Sequence, residues 1–258
     1  MEAKNGAICW VEVATTDPPA ARAFYSELFG WAANEIPVSA EAYYTIFQLG
    51  GQDTAGAYKL MPQQLDRGVP PHWIVYIRVP STDAAFEKAI ALGATAIAAP
   101  FDVPYVGRMS VIQDPTGAAI STFELGGHRG LHNFGETNAV CWADLNTSDP
   151  EKAAKFYSDW LGWSYEMGRD GYRHISNGGG KHDMLGGIPS NRPPAPGVPP
   201  HWLAYFKVAD CKASASKAAE LGGKLLMPAT EMPDVGAIAV AADPQGAVFA
   251  LYQEPNRA

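Results

Sequence analysis

Two sets of side chains of the same chemical kinds recur along this 258-residue chain. Trp10 and Glu12 are followed by Tyr76 and Arg78; Trp142 and Asp144 are followed by Tyr205 and Lys207. Residues two apart on a strand share a face. Each set therefore offers an indole and a carboxylate on one strand, and a phenol and a cation on another. The acid changes between Glu and Asp and the base between Arg and Lys, while the charge signs persist. Two chemistries fit such a set. In one, acid and base form a buried pair whose hydrogen bonds the phenol completes. In the other, Glu12 and Asp144 are general bases, and Tyr76 and Tyr205 donate to an oxyanion. Trp10 and Trp142 either stack on a ligand or plug the surface beneath it.

The elements that carry these residues are written twice. Cys9-Trp10-Val11-Glu12 leads through Asp17-Pro18 and Phe24-Tyr25 to Phe29-Gly30-Trp31. Cys141-Trp142-Ala143-Asp144 leads through Asp149-Pro150 and Phe156-Tyr157 to Leu161-Gly162-Trp163, at one constant offset from Cys9 to Cys141 and from Trp31 to Trp163. Val69-Pro70-Pro71-His72-Trp73 recurs as Val198-Pro199-Pro200-His201-Trp202 at an offset shorter by three. A fixed internal offset marks a duplicated folding unit.

Within each copy the pattern reads as two β-α-β-β-β units. Ala7 to Ala14 alternates like a strand. Asp17 is a good helix cap and Pro18 a tolerated first helical residue. Ala20, Ala21, Phe24, Tyr25, Leu28 and Phe29 give the helix an apolar face, and Gly30 stops it. Strands follow at 31–38, 43–49 and 54–61. The second unit runs from a strand at 72–79 through a helix at 83–92 to strands at 94–99, 109–113 and 118–125, the last two joined by the turn Asp114-Pro115-Thr116-Gly117. Residues 138–188 and 201–253 repeat the two units, the last turn being Asp243-Pro244-Gln245-Gly246. The Pro-rich loops 63–71 and 189–200 read as extended crossings. Phe24-Tyr25 and Phe156-Tyr157 read as core packing.

Length and composition fit two domains. The chain is 47% hydrophobic and 18% charged, as soluble globular domains are. A net charge of −8 disfavours nucleic acid and anionic membrane as partners. No apolar run is long enough to cross a bilayer, and the first six residues lack a signal-peptide pattern. Three cysteines without a C-x-x-C spacing argue against a disulfide framework or a zinc ribbon; Cys9 and Cys141 read as small buried hydrophobes. The expected address is the cytoplasm.

These strand, helix and turn motifs, covering about residues 8–253, resemble the vicinal oxygen chelate superfamily of glyoxalases, extradiol dioxygenases and bleomycin-resistance proteins. The Cys-Trp-x-Glu/Asp form in tandem looks most like its two-module glyoxalase-like branch, which includes a mycobacterial antigen. The resemblance implies an α+β fold of two modules, each an open eight-stranded β-cup with helices outside. Residues 1–126 would form the first module, 127–137 a linker and 138–258 the second.

The resemblance also implies where relatives hold a metal: on the first strand, on the first strand of the second unit, and on the last strand. Those positions fall on Trp10, Ile74 and Ser121, and on Trp142, Leu203 and Ala250. A divalent ion needs about three His, Cys, Asp or Glu donors, so no metal and no other cofactor is expected in either module. A counter-reading uses His72 and His201, two residues before Ile74 and Leu203; Glu12 with His72 would still lack a third ligand. Because the first strands of the two units are neighbours in this fold, Glu12 with Arg78 and Asp144 with Lys207 are expected to pair.

Arg108 follows Gly107 into a hairpin and could clamp a ligand or sit as a rim cation, but its counterpart is Ala237. Tyr105 likewise corresponds to Asp234. The halves are therefore expected to bind ligand unequally. His174 and His182 read as core or solvated histidines. The expectation is a glyoxalase-like protein with a small-molecule partner, as a monomer or homodimer. It would be a metal-free lyase or isomerase acting beside a carbonyl, with Glu12, Tyr76, Asp144 and Tyr205 as catalytic residues and Trp10, Arg78, Arg108, Ser121, Trp142 and Lys207 as ligand contacts. The rivals are a sequestering protein without turnover and a metal-dependent lyase or dioxygenase with displaced ligands.

Overall fold

The computed structural model describes residues 4–39, 42–168, 171–180, 183–190, 194 and 197–255. His182 lies outside them, as do the first three residues of the N-terminal segment.

The first copy runs β1 (Ile8–Thr15), α1 (Pro18–Phe29), β2 (Ala32–Pro37), β3 (Tyr43–Leu49), β4 (Gln52–Lys59), α2 (Pro62–Asp66), β5 (His72–Arg78), α3 (Thr82–Ala91), β6 (Thr95–Val103), β7 (Gly107–Gln113) and β8 (Ala119–Leu125). The second runs β9 (Val140–Asn146), α4 (Pro150–Leu161), β10 (Ser164–Met167), β11 (Arg173–Ser176), β12 (Met184–Ile188), β13 (His201–Lys207), α5 (Cys211–Glu220), β14 (Lys224–Met232), β15 (Gly236–Ala242) and β16 (Val248–Gln253). The strands form two open eight-stranded sheets of the same order, β2-β3-β4-β1-β5-β8-β7-β6 and β10-β11-β12-β9-β13-β16-β15-β14. The fold is the expected α+β arrangement, two open eight-stranded sheets with the same strand order.

The repeated helix signals work as their chemistry dictates. Asp17 Oδ1 accepts from Ala20 N at 3.1 Å, and Asp149 Oδ1 from Lys152 N at 3.0 Å. Each thus satisfies one of the amides a helix start leaves open. Gly30 and Gly162 close the helices in the left-handed conformation, which costs glycine nothing. One expectation needs correction. The loop 63–71 is not extended throughout, because its first residues belong to the short helix α2. Pro62 sits in the first turn of that helix, where its missing N–H costs nothing. Gln64 Oε1 accepts from Met61 N at 2.9 Å.

The chain divides into two compact units, and each takes one β-α-β-β-β element from each copy. Unit 1 comprises Met1–Trp10, Ile74–Gly130 and Trp142–Leu203; unit 2 comprises Val11–Trp73, Leu131–Cys141 and Ala204–Ala258. In unit 2, Tyr25 on α1 donates to Asp243 Oδ2 at 2.9 Å and accepts from Trp73 Nε1 at 3.0 Å. Phe29, Trp31, Phe47 and Phe249 pack around it, and Phe206 packs on Phe29. Unit 1 repeats the device: Tyr157 on α4 donates to Asp114 Oδ2 at 2.9 Å and accepts from Trp202 Nε1 at 3.1 Å. The Phe-Tyr pairs read as packing residues thus carry a buried polar link as well, and the Asp of each Asp-Pro-x-Gly turn is its acceptor.

Candidate functional site

The face of each sheet is fixed by what the alternating residues touch. In unit 1, Arg173 on β11 forms an ion pair with Glu151 of α4, so its neighbour His174 points to the face of the sheet opposite α4. His174 stands in register with Gly187 on β12, and Gly187 with Asp144 on β9. The three form one row across the sheet, which β10 continues with Glu166 opposite His174. In unit 2 the corresponding row is Asn34, Ile46, Gly56 and Glu12.

Both rows hold the same device. Tyr44 donates its hydroxyl to Glu12 Oε2 at 2.7 Å. It passes over Gly56, where an added Cβ would overlap the tyrosine hydroxyl. In the second copy Tyr172 donates to Asp144 Oδ1 through a short hydrogen bond, and it crosses Gly187 in the same way. A glycine inside a strand commonly marks such a close approach. Both acids are nearly buried, Glu12 at 7% exposure and Asp144 at 6%.

The second copy adds the indole. Trp142 Nε1 lies 2.9 Å from Asp144 Oδ1 and 2.8 Å from the Tyr172 hydroxyl. One carboxylate oxygen thus meets two donors, an arrangement an acceptor-only group can take. The Tyr172 hydroxyl spends its proton on Asp144 and receives the indole N–H. His174 completes the cluster, its ring 4.8 Å from that of Tyr172 and 6.1 Å from that of Trp142. Its Nδ1 is buried with no hydrogen-bond partner among the described residues.

The other sequence-selected residues fall as follows. In unit 1, Trp10 is 2% exposed and meets the His128 ring edge-on at 4.7 Å. His128 stacks over Phe123 at 6.2 Å, and its Nδ1 accepts from Gly130 N at 3.1 Å. Tyr76 is in register with Ser121, whose buried Oγ has no partner among the described residues. The main chain of Arg78 pairs with Gly6 and Ala7. Arg108 forks onto Asp83 at 2.7 and 2.9 Å and reaches Asp102 at 2.9 Å. The guanidinium holds the Asp83 carboxyl below its ordinary value. In unit 2, the Lys207 ammonium forms an ion pair with Glu254 at 2.8 Å. The carbonyl of buried Tyr205 accepts from Cys141 Sγ at 3.5 Å. Tyr58 lies in the field of Glu12 and takes a hydrogen bond from Gln64 at 3.1 Å; burial foremost pushes its phenol up to about 12.

The positions at which the resemblance implies metal ligands hold Trp10, Ile74 and Ser121, and Trp142, Leu203 and Ala250. No three His, Cys, Asp or Glu side chains are placed to hold an ion among the described residues. His72 and His201 turn Nδ1 back to the carbonyls of Pro70 and Pro199 at 2.8 and 2.9 Å.

Sequence reasoning missed Tyr44, Tyr172, His174 and His128 as members of these clusters. A partial signal existed: Tyr44 and Tyr172 each stand before a predicted strand that carries a glycine, Gly56 and Gly187.

Two open eight-stranded sheets of this order are the fold of a glyoxalase-like protein. The comparisons agree. Residues 139–251 match the model of the Glyoxalase/Bleomycin resistance protein/Dioxygenase superfamily, and residues 10–123 that of a glyoxalase-like domain. The chain belongs to this superfamily. It is 37% identical over 257 residues to CFP32 of Mycobacterium tuberculosis, provisionally named a glyoxylase, covering 98% of this chain and 96% of the relative. It is 31% identical over 263 residues to the anthracycline biosynthesis protein DauV of a Streptomyces species, covering 96% and 93%. Among solved structures, the Mn(II)-bound glyoxalase of Novosphingobium aromaticivorans superposes with a TM-score of 0.65 at 16% identity, covering 97% of this chain and 83% of that one. The 2,3-dioxygenase LapB of a Pseudomonas species gives 0.66 at 12%, covering 98% and 95%. These structures share the fold.

Proposed function

We propose that this protein binds a small, planar carbonyl compound and moves a proton at the carbon beside the carbonyl, using a protein carboxylate and no metal. The observation that carries the reading is the acid held by a tyrosine across a strand glycine, Glu12 with Tyr44 and Asp144 with Tyr172. A general base must be fixed within reach of the proton it takes. In the second copy Tyr172 and Trp142 fix one carboxylate oxygen of Asp144 and so orient the group. Asp144 takes the proton from carbon, the C–H electron pair moves into the carbonyl as an enolate, and the same carboxyl returns the proton. Tyr172 and Trp142 are positioning residues here. The indole, phenol and imidazole around the carboxylate suit a flat ligand. The relative named for anthracycline biosynthesis fits as well, since anthracyclines are planar ring systems with ketone groups.

A second reading, sequestration without turnover, is favoured by one feature: the Tyr172 hydroxyl has already given its proton to Asp144 and has none to lend a substrate. Exchange in heavy water separates the two. With α-hydroxyacetophenone, the enzyme reading expects proton NMR to show loss of the hydrogens beside the carbonyl faster than in buffer. Asp144→Asn should lower that rate by about 10²–10⁴-fold while binding stays within a few-fold. Binding with no exchange above buffer would leave the sequestering reading.

A further inference from the structure

The segment that follows β8 brings a ring of its own to Trp10. Phe123 lies two residues after Ser121 on β8 and so shares its face. Tyr76, in register with Ser121, meets the Phe123 ring edge-on at 6.2 Å. His128 touches two rings of this group: it stands edge-on to Trp10 at 4.7 Å and stacks over Phe123 at 6.2 Å. Glycines let the chain come this close. A Cβ at Gly127 would stand 2.3 Å from the Tyr105 carbonyl oxygen. One at Gly130, where φ is +73°, would stand 2.6 Å from that of Cys9.

The cover is complete but thin. Trp10 is left 2% exposed, whereas Trp142, at the matching place in the second copy, is partly exposed. At the spacing that maps His72 onto His201, His128 maps onto Arg257, which has no imidazole and lies outside the described residues. His128 is itself partly exposed, and Gly126, Gly127 and Arg129 are exposed. The N–H groups of Gly126 and His128 share one acceptor, Val106 O, at 2.9 and 3.2 Å. Gly130 N donates to His128 Nδ1 at 3.1 Å. Gly126 and Gly127 also line a cleft of about 380 Å³ with Tyr105 and Val106, which gives the segment room to move. Exposed backbone with few buried apolar contacts opens locally at low cost.

We infer that residues 126–130 form a strap that closes the first module with its own side chain. The His128 imidazole occupies the place beside Trp10 and Phe123 that a flat ring would take, and an outside ring reaches Trp10 only when the strap swings away. The apparent affinity at Trp10 is then lowered by the fraction of molecules with the strap open. Two ring contacts and the hydrogen bond from Gly130 hold it shut, which sets that reduction at about ten- to hundredfold. The strap is independent of the proposed function, because it governs access to Trp10 and not chemistry at a carboxylate.

The test is fluorine NMR on the full chain with its seven tryptophans replaced by 5-fluorotryptophan, titrated with 2-naphthol as the flat probe. Trp10→Phe and Trp142→Phe assign the two resonances. The Trp10 resonance of the wild type should shift with the probe, with a midpoint about ten- to hundredfold above that in His128→Ala. Gly130→Ala, which drives a methyl group against the Cys9 carbonyl and so dislodges the strap, should lower the midpoint as His128→Ala does. His128→Phe keeps a ring in place and should stay closed like the wild type. None of the three changes should move the Trp142 titration by more than about twofold. A Trp10 midpoint equal in wild type and His128→Ala would overturn the inference. So would a Trp10 resonance that the probe never moves in the wild type, which marks a fixed plug, or one silent in both open variants.

Discussion

Tyr25 on the first helix donates its hydroxyl to Asp243 in the last hairpin turn, a hydrogen bond between residues 218 positions apart. Trp73 fills the other side of that hydroxyl. Tyr25→Phe removes the donor from Asp243 and the acceptor from the indole at once. Leaving buried polar groups unpaired costs about 1–3 kcal/mol. The expected outcome is a loss of that order in urea unfolding, with an unchanged m-value. Tyr157→Phe, which breaks the same link to Asp114, should match it.

The same turn carries a pH dependence. Burial raises the Asp243 carboxyl above its ordinary value, and the hydrogen bonds from Ala247, Tyr25 and Gln245 offset this only in part. Unfolded, the group loses its proton near pH 4; folded, it keeps the proton to higher pH. Its contribution to stability is therefore largest below the unfolded value and falls as pH rises through the folded one. Asp243→Asn abolishes the titration. Thermal denaturation at a series of pH values should show the wild type losing ground against the variant as pH rises from the unfolded carboxyl value through the higher folded one; a constant gap would contradict the assignment.

Gly187 leaves the room through which Tyr172 reaches Asp144. Gly187→Ala puts a methyl group where the phenol oxygen sits. Overpacking of this kind costs about 1–3 kcal/mol. It should displace Tyr172 and lower solvent exchange more than it lowers ligand affinity, because it disturbs the orientation of the base. Gly56→Ala should destabilise to a similar degree through Tyr44, yet leave a site in the second module working.

The three thiols should be inert in the native state. Burial raises all of them: Cys9 well above the ordinary range, Cys141 to about 12 and Cys211 to about 11. The thiolate is the reactive form. Iodoacetamide at pH 8 should leave the native protein unlabelled by mass spectrometry and add three groups once guanidinium unfolds it.

Arg108 grips Asp83 and Asp102 at the protein surface. Exposed ion pairs contribute little. Arg108→Ala should leave the denaturation midpoint close to that of the wild type, and high salt should erase what difference remains.

Particular residues show how far the sequence can be read. Asp17, Pro18 and Gly30 announce a helix because capping and left-handed closure are local chemistry, and the structure uses all three as expected. The parity that puts Trp10 with Glu12 and Trp142 with Asp144 is equally local. The partners of the acids are not local. Tyr172 precedes β11, and its line to Asp144 depends on the register of three strands, one pair of which shifts at Ile175/Ser176. No residue spacing encodes that register. The prolines around the loop after β4 suit an extended crossing and a helix's first turn alike, and Pro62 takes the second role. Tyr25 and Tyr157 fit the apolar stripe of their helices, while their acceptors lie in the opposite half of the chain.

The link from Tyr25 to Asp243 also sets an order of events during synthesis. A ribosome delivers Tyr25 218 residues before its acceptor. Unit 2 joins segments far apart in the chain, so its aromatic centre stays unfinished until β16 emerges. A nascent chain stalled before Asp243 would carry that centre uncovered, the state in which chaperones meet their clients.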